Sequence, residues 1–318
     1  VTIDVQNVTP NEDVLRLSEE MIAKGSKSFA AAAKLFAPAT RADAVMLYAW
    51  CRYADDMIDG QDLGHNQQAD FAEGQADRLA ELRRQTEAAL DDDASGDAVF
   101  EALRQVVARN RIPRRHPLEL IAGFEMDVEQ RTYQTAEDML NYCYHVAGVV
   151  GVMMAMIMGV RDDAVLDRAS DLGVAFQLTN IARDIIDDAR VGRVYLPSDW
   201  LAEAGLDRID TADRRQWPAL HRLALRLLDR AEPHYASAYA GMSALPFRSA
   251  WAIAAARRVY RDIGRKLRDG GPEAWEQRVS TSPTRKVWLM ALSFGDVLVT
   301  RFGNPDRGPA RTDLYQRP

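Results

Sequence analysis

Strand-forming patterns are almost missing from this chain, and no G-x-G-x-x-G turn is present to open a dinucleotide fold. Cysteine is scarce, with two in 318 residues. Both, Cys51 and Cys143, stand in apolar helical context, which excludes a disulfide framework and predicts reduced core thiols in a cytoplasmic protein. The five histidines are scattered without metal-ligand spacing, against a zinc site. Excess positive charge is also lacking. A formal net charge of -7 argues against non-specific nucleic-acid binding, so an anionic substrate would need local cations or bound metal. The longest uncharged apolar stretch, Val146–Val160, falls short of the ~20 residues that cross a bilayer and reads as a buried core helix. No basic region followed by an apolar stretch opens the chain, so no signal peptide is expected. Proline and glycine, 13 and 19 residues, are dispersed rather than gathered into a linker. One domain over residues 1–318 is therefore expected, with irregular tails at 1–12 and 303–318.

What is present is helix. Alanine, leucine, arginine, glutamate and aspartate dominate, and apolar residues recur at three and four. The pattern predicts helices near 11–24, 28–36, 39–59, 68–91, 96–109, 116–131, 135–159, 162–190, 211–241, 246–268 and 282–301. Hydrophobic residues make up 47% of the chain, enough for one large core. The fold class is all-α.

Two acidic stretches stand out. Tyr48, Arg52, Asp55 and Asp59 follow steps of four, three and four, so they share one helical face. Gln177, Asn180, Asp184 and Asp188 follow steps of three, four and four and do the same. An acidic run on a helix is ordinarily a solvated face, but here both stretches sit in strongly apolar surroundings and each carries an Arg. Like charges at i and i+4 destabilise a bare helix by a few tenths of a kcal/mol. A divalent metal would offset that repulsion, since Mg2+ takes one or two carboxylates, waters and phosphate oxygens. Two such helices facing each other could hold a magnesium–diphosphate cluster.

Lesser signals accompany these. Arg193 follows the second acidic stretch in a loop that could close over such a site. Gly25, Ser26, Lys27 and Ser28 place an ammonium, hydroxyls and free N–H groups at a helix start, which suits phosphate, although serine there also serves as a plain cap. Arg109, Arg111, Arg114 and Arg115 read as a solvated loop. Gly148 and Gly151 would let a neighbouring helix or ligand approach closely, and Met153, Met154, Met156 and Met158 supply an adaptable apolar surface.

The stretches Met46–Gly60 (MLYAWCRYADDMIDG), Tyr142–Gly151 (YCYHVAGVVG) and Phe176–Pro197 (FQLTNIARDIIDDARVGRVYLP) resemble the squalene/phytoene synthase family, its bacterial phytoene-forming branch above all. Arg248–Gly264 and Gly25–Phe29 match in the same order, and the resemblance runs over roughly residues 15 to 295. Asp187 departs from it, since many relatives carry Glu there. The resemblance implies a helical bundle of the isoprenoid synthase type with a central apolar cavity. It implies a prenyltransferase that joins two geranylgeranyl diphosphates head to head, through prephytoene diphosphate, to phytoene. Asp55 and Asp59 would bind metal (Mg2+ or Mn2+) at one diphosphate, and Asn180, Asp184 and Asp188 at the other. Arg52, Lys27, Arg183 and Arg278 would pair with phosphate oxygens. Tyr48, Tyr142, Tyr195 and Tyr260 would stand near the reaction centre, where ring faces can stabilise a carbocation. The set read as catalytic is Asp55, Asp59, Asp184, Asp188, Arg52, Tyr48 and Arg183. Gly25, Ser26, Lys27, Ser28, Tyr142, Gln177, Arg193, Tyr195, Tyr260 and Arg278, together with Tyr48, Arg52 and Arg183, are read as substrate-binding.

An apolar tunnel lined by Phe29, Val146, Ala147, Val150, Met154 and Phe176 would hold the isoprenoid tails away from water. Ala33, where C30-forming relatives tend to carry an aromatic ring, would leave room for a C20 substrate. No nucleotide cofactor is expected, unlike in squalene formation. Lipid substrate and product make peripheral contact with the inner membrane face, and handover to neighbouring carotenoid-pathway enzymes, further expectations. Two rival readings remain: a C30 dehydrosqualene or squalene synthase, and a non-catalytic helical scaffold binding a basic partner through its acidic faces.

Overall fold

The computed structural model describes residues 12–25, 27–60, 73–93, 97–303 and 310–318, with backbone only at residues 25, 27 and 28. Helices α1 (Glu12–Gly25), α2 (Lys27–Ala33), α3 (Pro38–Asp59), α4 (Gln75–Leu90), α5 (Ala98–Asn110) and α6 (Arg115–Val128) form the first half. Then come α7 (Ala136–Cys143), α8 (Val149–Ile157), α9 (Asp163–Arg190), α10 (Ser198–Glu203), α11 (Trp217–Gly241), α12 (Phe247–Asp269) and α13 (Pro283–Phe302). Among the described residues there is no strand.

The 28 residues of α9 run through the middle of the bundle. It packs along α11 and also meets α8 and α12, which is why apolar residues surround it on nearly every side rather than forming one stripe. Asp162 caps its start by accepting from the Val165 N–H, one of the orphan donors of a helix N-terminus. At the other acidic helix, Pro38 opens α3 and Gly60, at φ 58°, ends it in the left-handed conformation, the usual geometry of a glycine stop. Chain direction at both site helices is therefore set locally.

α7 and α8 are one continuous helix interrupted by a π turn at Tyr144–Gly148. The interruption lies where this helix presses on α9. A Cβ added to Gly173 of α9 would stand 2.2 Å from the Ala147 carbonyl oxygen, and one on Gly151 would stand 2.4 Å from that of Ala169. Only glycine permits this backbone-to-backbone approach. The expectation for Gly148 and Gly151 holds, with a helix rather than a ligand as the neighbour, and Gly173 is the partner the sequence reading missed.

Several boundaries move. The continuous helix Ala136–Ile157 is long and apolar enough to cross a bilayer, so length does not exclude a span. It reads as core instead because Met139, Tyr144, Val149, Val152 and Met153 are fully buried. α2 ends at Ala33, α11 begins at Trp217 with Pro218 in its first turn, and α10 is a short helix in what reads as loop. Residues 68–72 of the expected fourth helix lie outside the described residues. The Arg109 loop is not solvated throughout: Arg109 pairs with buried Asp43, which Asn110 also contacts at 2.8 Å.

Residues 310–318 contain no helix or strand, yet are held fast. Arg311 Nε lies 2.7 Å from Asp171, Arg317 Nε 2.5 Å from Asp167, and Tyr315 Oη 2.8 Å from Asn141.

Candidate active site

A cavity of about 500 Å3 lies between α3, α6, α8, α9 and α12. Its wall is mostly apolar, and Phe29, Val146, Ala147, Val150, Met154 and Phe176 all line it. Polar groups gather at one end. α3 brings Tyr48, Arg52 and Asp55 to the wall, α9 brings Gln177 and Asn180, α12 brings Tyr260, and Asp127 and Tyr142 arrive from α6 and α7. The three-and-four spacing thus puts one edge of each acidic face on the cavity.

Beyond that edge the acidic side chains are held by arginines. Arg52 Nη1 lies 2.7 Å from Asp55 and 3.8 Å from Asp56. Arg193 forks onto both carboxylate oxygens of Asp59, joining the loop after α9 to the end of α3. Arg183 Nε lies 2.8 Å from Asp184, and Arg278 approaches the same carboxylate at 3.5 Å from the rim. Trp275 donates to the Arg183 carbonyl at 2.9 Å. Asp187 points away from the site to pair with Arg190, so the departure at that position falls on a solvated face.

Aromatic rings complete the mouth. Phe29 stacks on Tyr48 at 5.0 Å between centroids, and Phe176 on Tyr260 at 4.0 Å. Tyr142 and Tyr195 stack at 4.8 Å, and each hydroxyl donates to Asp127 at 3.0 Å. Asp127 belongs to no motif and escaped the sequence reading. Tyr195 and Arg193 stand in a loop, yet these bonds fix both.

Burial makes Asp55, Asp188 and Asp127 reluctant to ionise. It pushes Asp55 up to about 7, with neighbouring Asp59 and Asp56 adding to the effect and Arg52 opposing it. Although 41% of the Asp55 side chain is open, it opens onto the cavity. Asp188 is pushed up to about 8 by burial and then by Asp184, and Asp127 to about 6 by burial. Burial likewise raises Cys51, on the cavity wall, to about 12, leaving an inert thiol at neutral pH.

Among the described residues no three acidic, histidine or cysteine groups are gathered closely enough to hold a metal. The donor set nevertheless fits a hard divalent cation. It is all oxygen, the carboxylates lose free energy by ionising next to one another, and the buried Asn180 Oδ1 has no hydrogen-bond partner. Tyr48 Oη and Arg52 Nε, also on this wall, are likewise buried and unpartnered. Polar atoms left so are costly, as expected of a place built for a polar ligand. Ser26 and the side chains of Gly25, Lys27 and Ser28 lie outside the described residues.

One expectation fails. Ala33 is 2% exposed and packed in the core, and it is not among the residues that line the cavity. Ala32, one residue earlier, lines the cavity together with Phe29 and Phe36.

Comparison with known proteins agrees with this geometry. The family model for squalene/phytoene synthase matches residues 22–285. The chain is 55% identical to a 15-cis-phytoene synthase of Paracoccus sp. (strain N81106 / MBIC 01143), over 96% of this chain and 98% of that one. It is 51% identical to a 15-cis-phytoene synthase of Enterobacter agglomerans, over 92% and 99% of the two chains. Among solved structures it is similar to a dehydrosqualene synthase in complex with ligand, with a TM-score of 0.79 and 26% identity over 89% of this chain and 96% of that one. A squalene synthase from Alicyclobacillus acidocaldarius shares the fold, with a TM-score of 0.71 and 24% identity over 81% of this chain and 94% of that one. The chain belongs to the squalene/phytoene synthase family.

Proposed function

We propose that this protein is a phytoene synthase, a prenyltransferase that condenses two geranylgeranyl diphosphates head to head. Prephytoene diphosphate would form first and phytoene second, with one diphosphate released at each stage. The observation that carries the reading is a cavity whose mostly apolar wall also bears Arg52, Asp55 and Asn180. An allylic diphosphate is that shape in charge: an anionic head on a long apolar tail.

Ionising the C–O bond sends its electron pair out with diphosphate, so the site must receive negative charge. Arg52 lines the cavity and Arg183, Arg193 and Arg278 hold the aspartates beside it; their planar forks suit phosphate oxygens. They now pair with aspartates and would share those contacts with phosphate. Asp55 and Asp59 on α3, and Asn180, Asp184 and Asp188 on α9, are the residues that would hold Mg2+ or Mn2+, whose charge neutralises the departing diphosphate when bound. The rings of Tyr48 and Tyr260, both on the cavity wall, would draw an allylic cation through their quadrupoles. The apolar wall excludes water that would otherwise trap that cation as an alcohol.

The test is purified protein with geranylgeranyl diphosphate and Mg2+, followed by product mass and released diphosphate. The reading expects a C40 hydrocarbon and two diphosphates per product. A C30 product made only from farnesyl diphosphate would replace it with the shorter-chain activity, and no diphosphate from either substrate would favour a non-catalytic scaffold.

A further inference from the structure

The outward face of α13 is apolar from end to end. Val287, Trp288, Val299 and Phe302 are 68, 56, 62 and 82% exposed, and Leu292, Phe294 and Leu298 are exposed with them. Between Lys286 and Arg301 the only charged residue is Asp296. It faces inward, with Arg258 Nε and Nη2 at 2.5 and 2.6 Å. α13 packs on α12 through Leu289, Ser293 and Val297, which leaves the opposite face bare among the described residues. Exposed apolar surface this continuous marks an interaction site.

A cationic cleft runs beside it. Arg257, Arg258, Arg261 and Arg265 of α12, with Tyr239 and with Leu289 and Asp296 of α13, line a cleft of about 290 Å3. Among the described residues only Asp296 and Glu232 pair with these arginines, two carboxylates against four guanidiniums. Arg257 has no carboxylate partner among the described residues. Its Nε donates to the Tyr235 carbonyl at 2.9 Å and its guanidinium lies 4.8 Å from the Tyr239 ring centre. Burial, then Arg261, pushes Arg257 down to about 10, in keeping with a cation short of counter-charge.

The two features adjoin along one helix. Leu289 and Asp296 border the cleft, while Met290, on the other edge of the buried face by helical periodicity, lines the main cavity. The exposed apolar face lies between the two edges.

We propose that α13 and the arginine cleft of α12 form a docking surface for an anionic lipid bilayer. α13 lies in the interface with its apolar side chains inserted, and phosphodiester headgroups enter the cleft. An amphipathic helix with an aromatic residue beside basic groups suits the membrane–water boundary, and guanidiniums suit phosphate. Charge decides against a second copy as the occupant: α13 packed on α13 would set two cationic clefts side by side. The same geometry places lipid just outside the part of the cavity wall built by Met290.

The test is flotation with vesicles of phosphatidylcholine alone and of phosphatidylcholine mixed with phosphatidylglycerol, using the full chain. The wild type binds the anionic vesicles at least ~10-fold better, and added salt reduces the difference. Trp288→Ser/Val299→Ser loses binding to both vesicles by about 10-fold or more at an unchanged melting temperature. Arg261→Gln/Arg265→Gln loses only the preference for phosphatidylglycerol, and this second variant keeps the test decisive if the first fails to fold. Wild type left unbound with anionic vesicles, or undiminished binding in both variants, overturns the proposal. So does a dimer in sedimentation velocity that Trp288→Ser/Val299→Ser converts to monomer without any vesicle binding, which would give the face to a second copy.

Discussion

Arg193 in the loop after α9 grips Asp59 in the last turn of α3 with both terminal nitrogens. The side chains are 19% and 14% exposed, so the pair fastens the two acidic helices where water screens it little. Removing the arginine leaves a mostly buried carboxylate unpaired. We expect Arg193→Ala to cost roughly 1–3 kcal/mol, below the ~3–5 kcal/mol of a fully buried pair, in urea unfolding with chelator present. Arg193→Lys should recover stability but not turnover, because the fork that meets phosphate is gone. A lysine variant with full activity would make the contact merely structural.

Asp127 carries a pH signature. Its folded value of about 6 stands above the ordinary 3.8, so between those values the folded chain binds the proton that the unfolded chain has lost. Stability contributed by Asp127 is therefore present below about pH 4 and falls as pH rises through about 6. Asp127→Asn keeps an acceptor and adds a donor toward Tyr142 and Tyr195. In metal-free buffer it should flatten this part of the pH profile and raise stability at pH 7 by up to ~3 kcal/mol. Parallel profiles for the two proteins would show that Asp127 ionises freely.

Tunnel length is tested at Ala32, which lines the cavity, with Ala33 as the contrast. Ala32→Phe should lower C40 product while sparing C30 product from farnesyl diphosphate. Ala33→Phe, in a closed core, should instead cost ~1–3 kcal/mol by overpacking and depress both products together. Product masses and melting temperatures separate these outcomes, and an unchanged ratio in Ala32→Phe would remove the tunnel from that side.

Gly173→Ala should be among the most damaging single-methyl changes, since the new Cβ would meet the Ala147 oxygen at 2.2 Å. Prising α9 from α8 should cost about 1–3 kcal/mol or more. Gly295→Ala, with nothing within 4 Å and an ordinary helical backbone, should be neutral or gain ~0.4–1 kcal/mol. Equal melting temperatures for the two variants would contradict the close crossing.

What the sequence made legible follows from period and spacing. Apolar recurrence located the long helices, and steps of three and four were enough to place Tyr48, Arg52 and Asp55 on one wall and Gln177 and Asn180 on another. What depended on tertiary approach was not legible. Asp127 has meaning only once Tyr142 and Tyr195 arrive from other segments, and Gly173 only once the Ala147 carbonyl lies against it. Ala33 failed because helical spacing from Phe29 says nothing of which edge of α2 the neighbouring helices cover, and the cavity takes Ala31 and Ala32 instead. The bare face of α13 was hidden for a similar reason: apolar residues on a helix announce burial until the neighbours are known.

The central claim is that the acidic faces of α3 and α9 serve diphosphate departure. It is tested most directly by measuring C40 hydrocarbon formation from geranylgeranyl diphosphate with Mg2+ for Asp55→Ala and Asp184→Ala, alongside metal-free melting temperatures. We expect turnover to fall by at least ~10²-fold in each, the scale of losing a principal transition-state stabiliser, in proteins that remain folded; Asp184→Ala also leaves the mostly buried Arg183 without its partner and should lose roughly 1–3 kcal/mol. Near-normal turnover in either variant, or lost turnover explained by an unfolded protein, would contradict it.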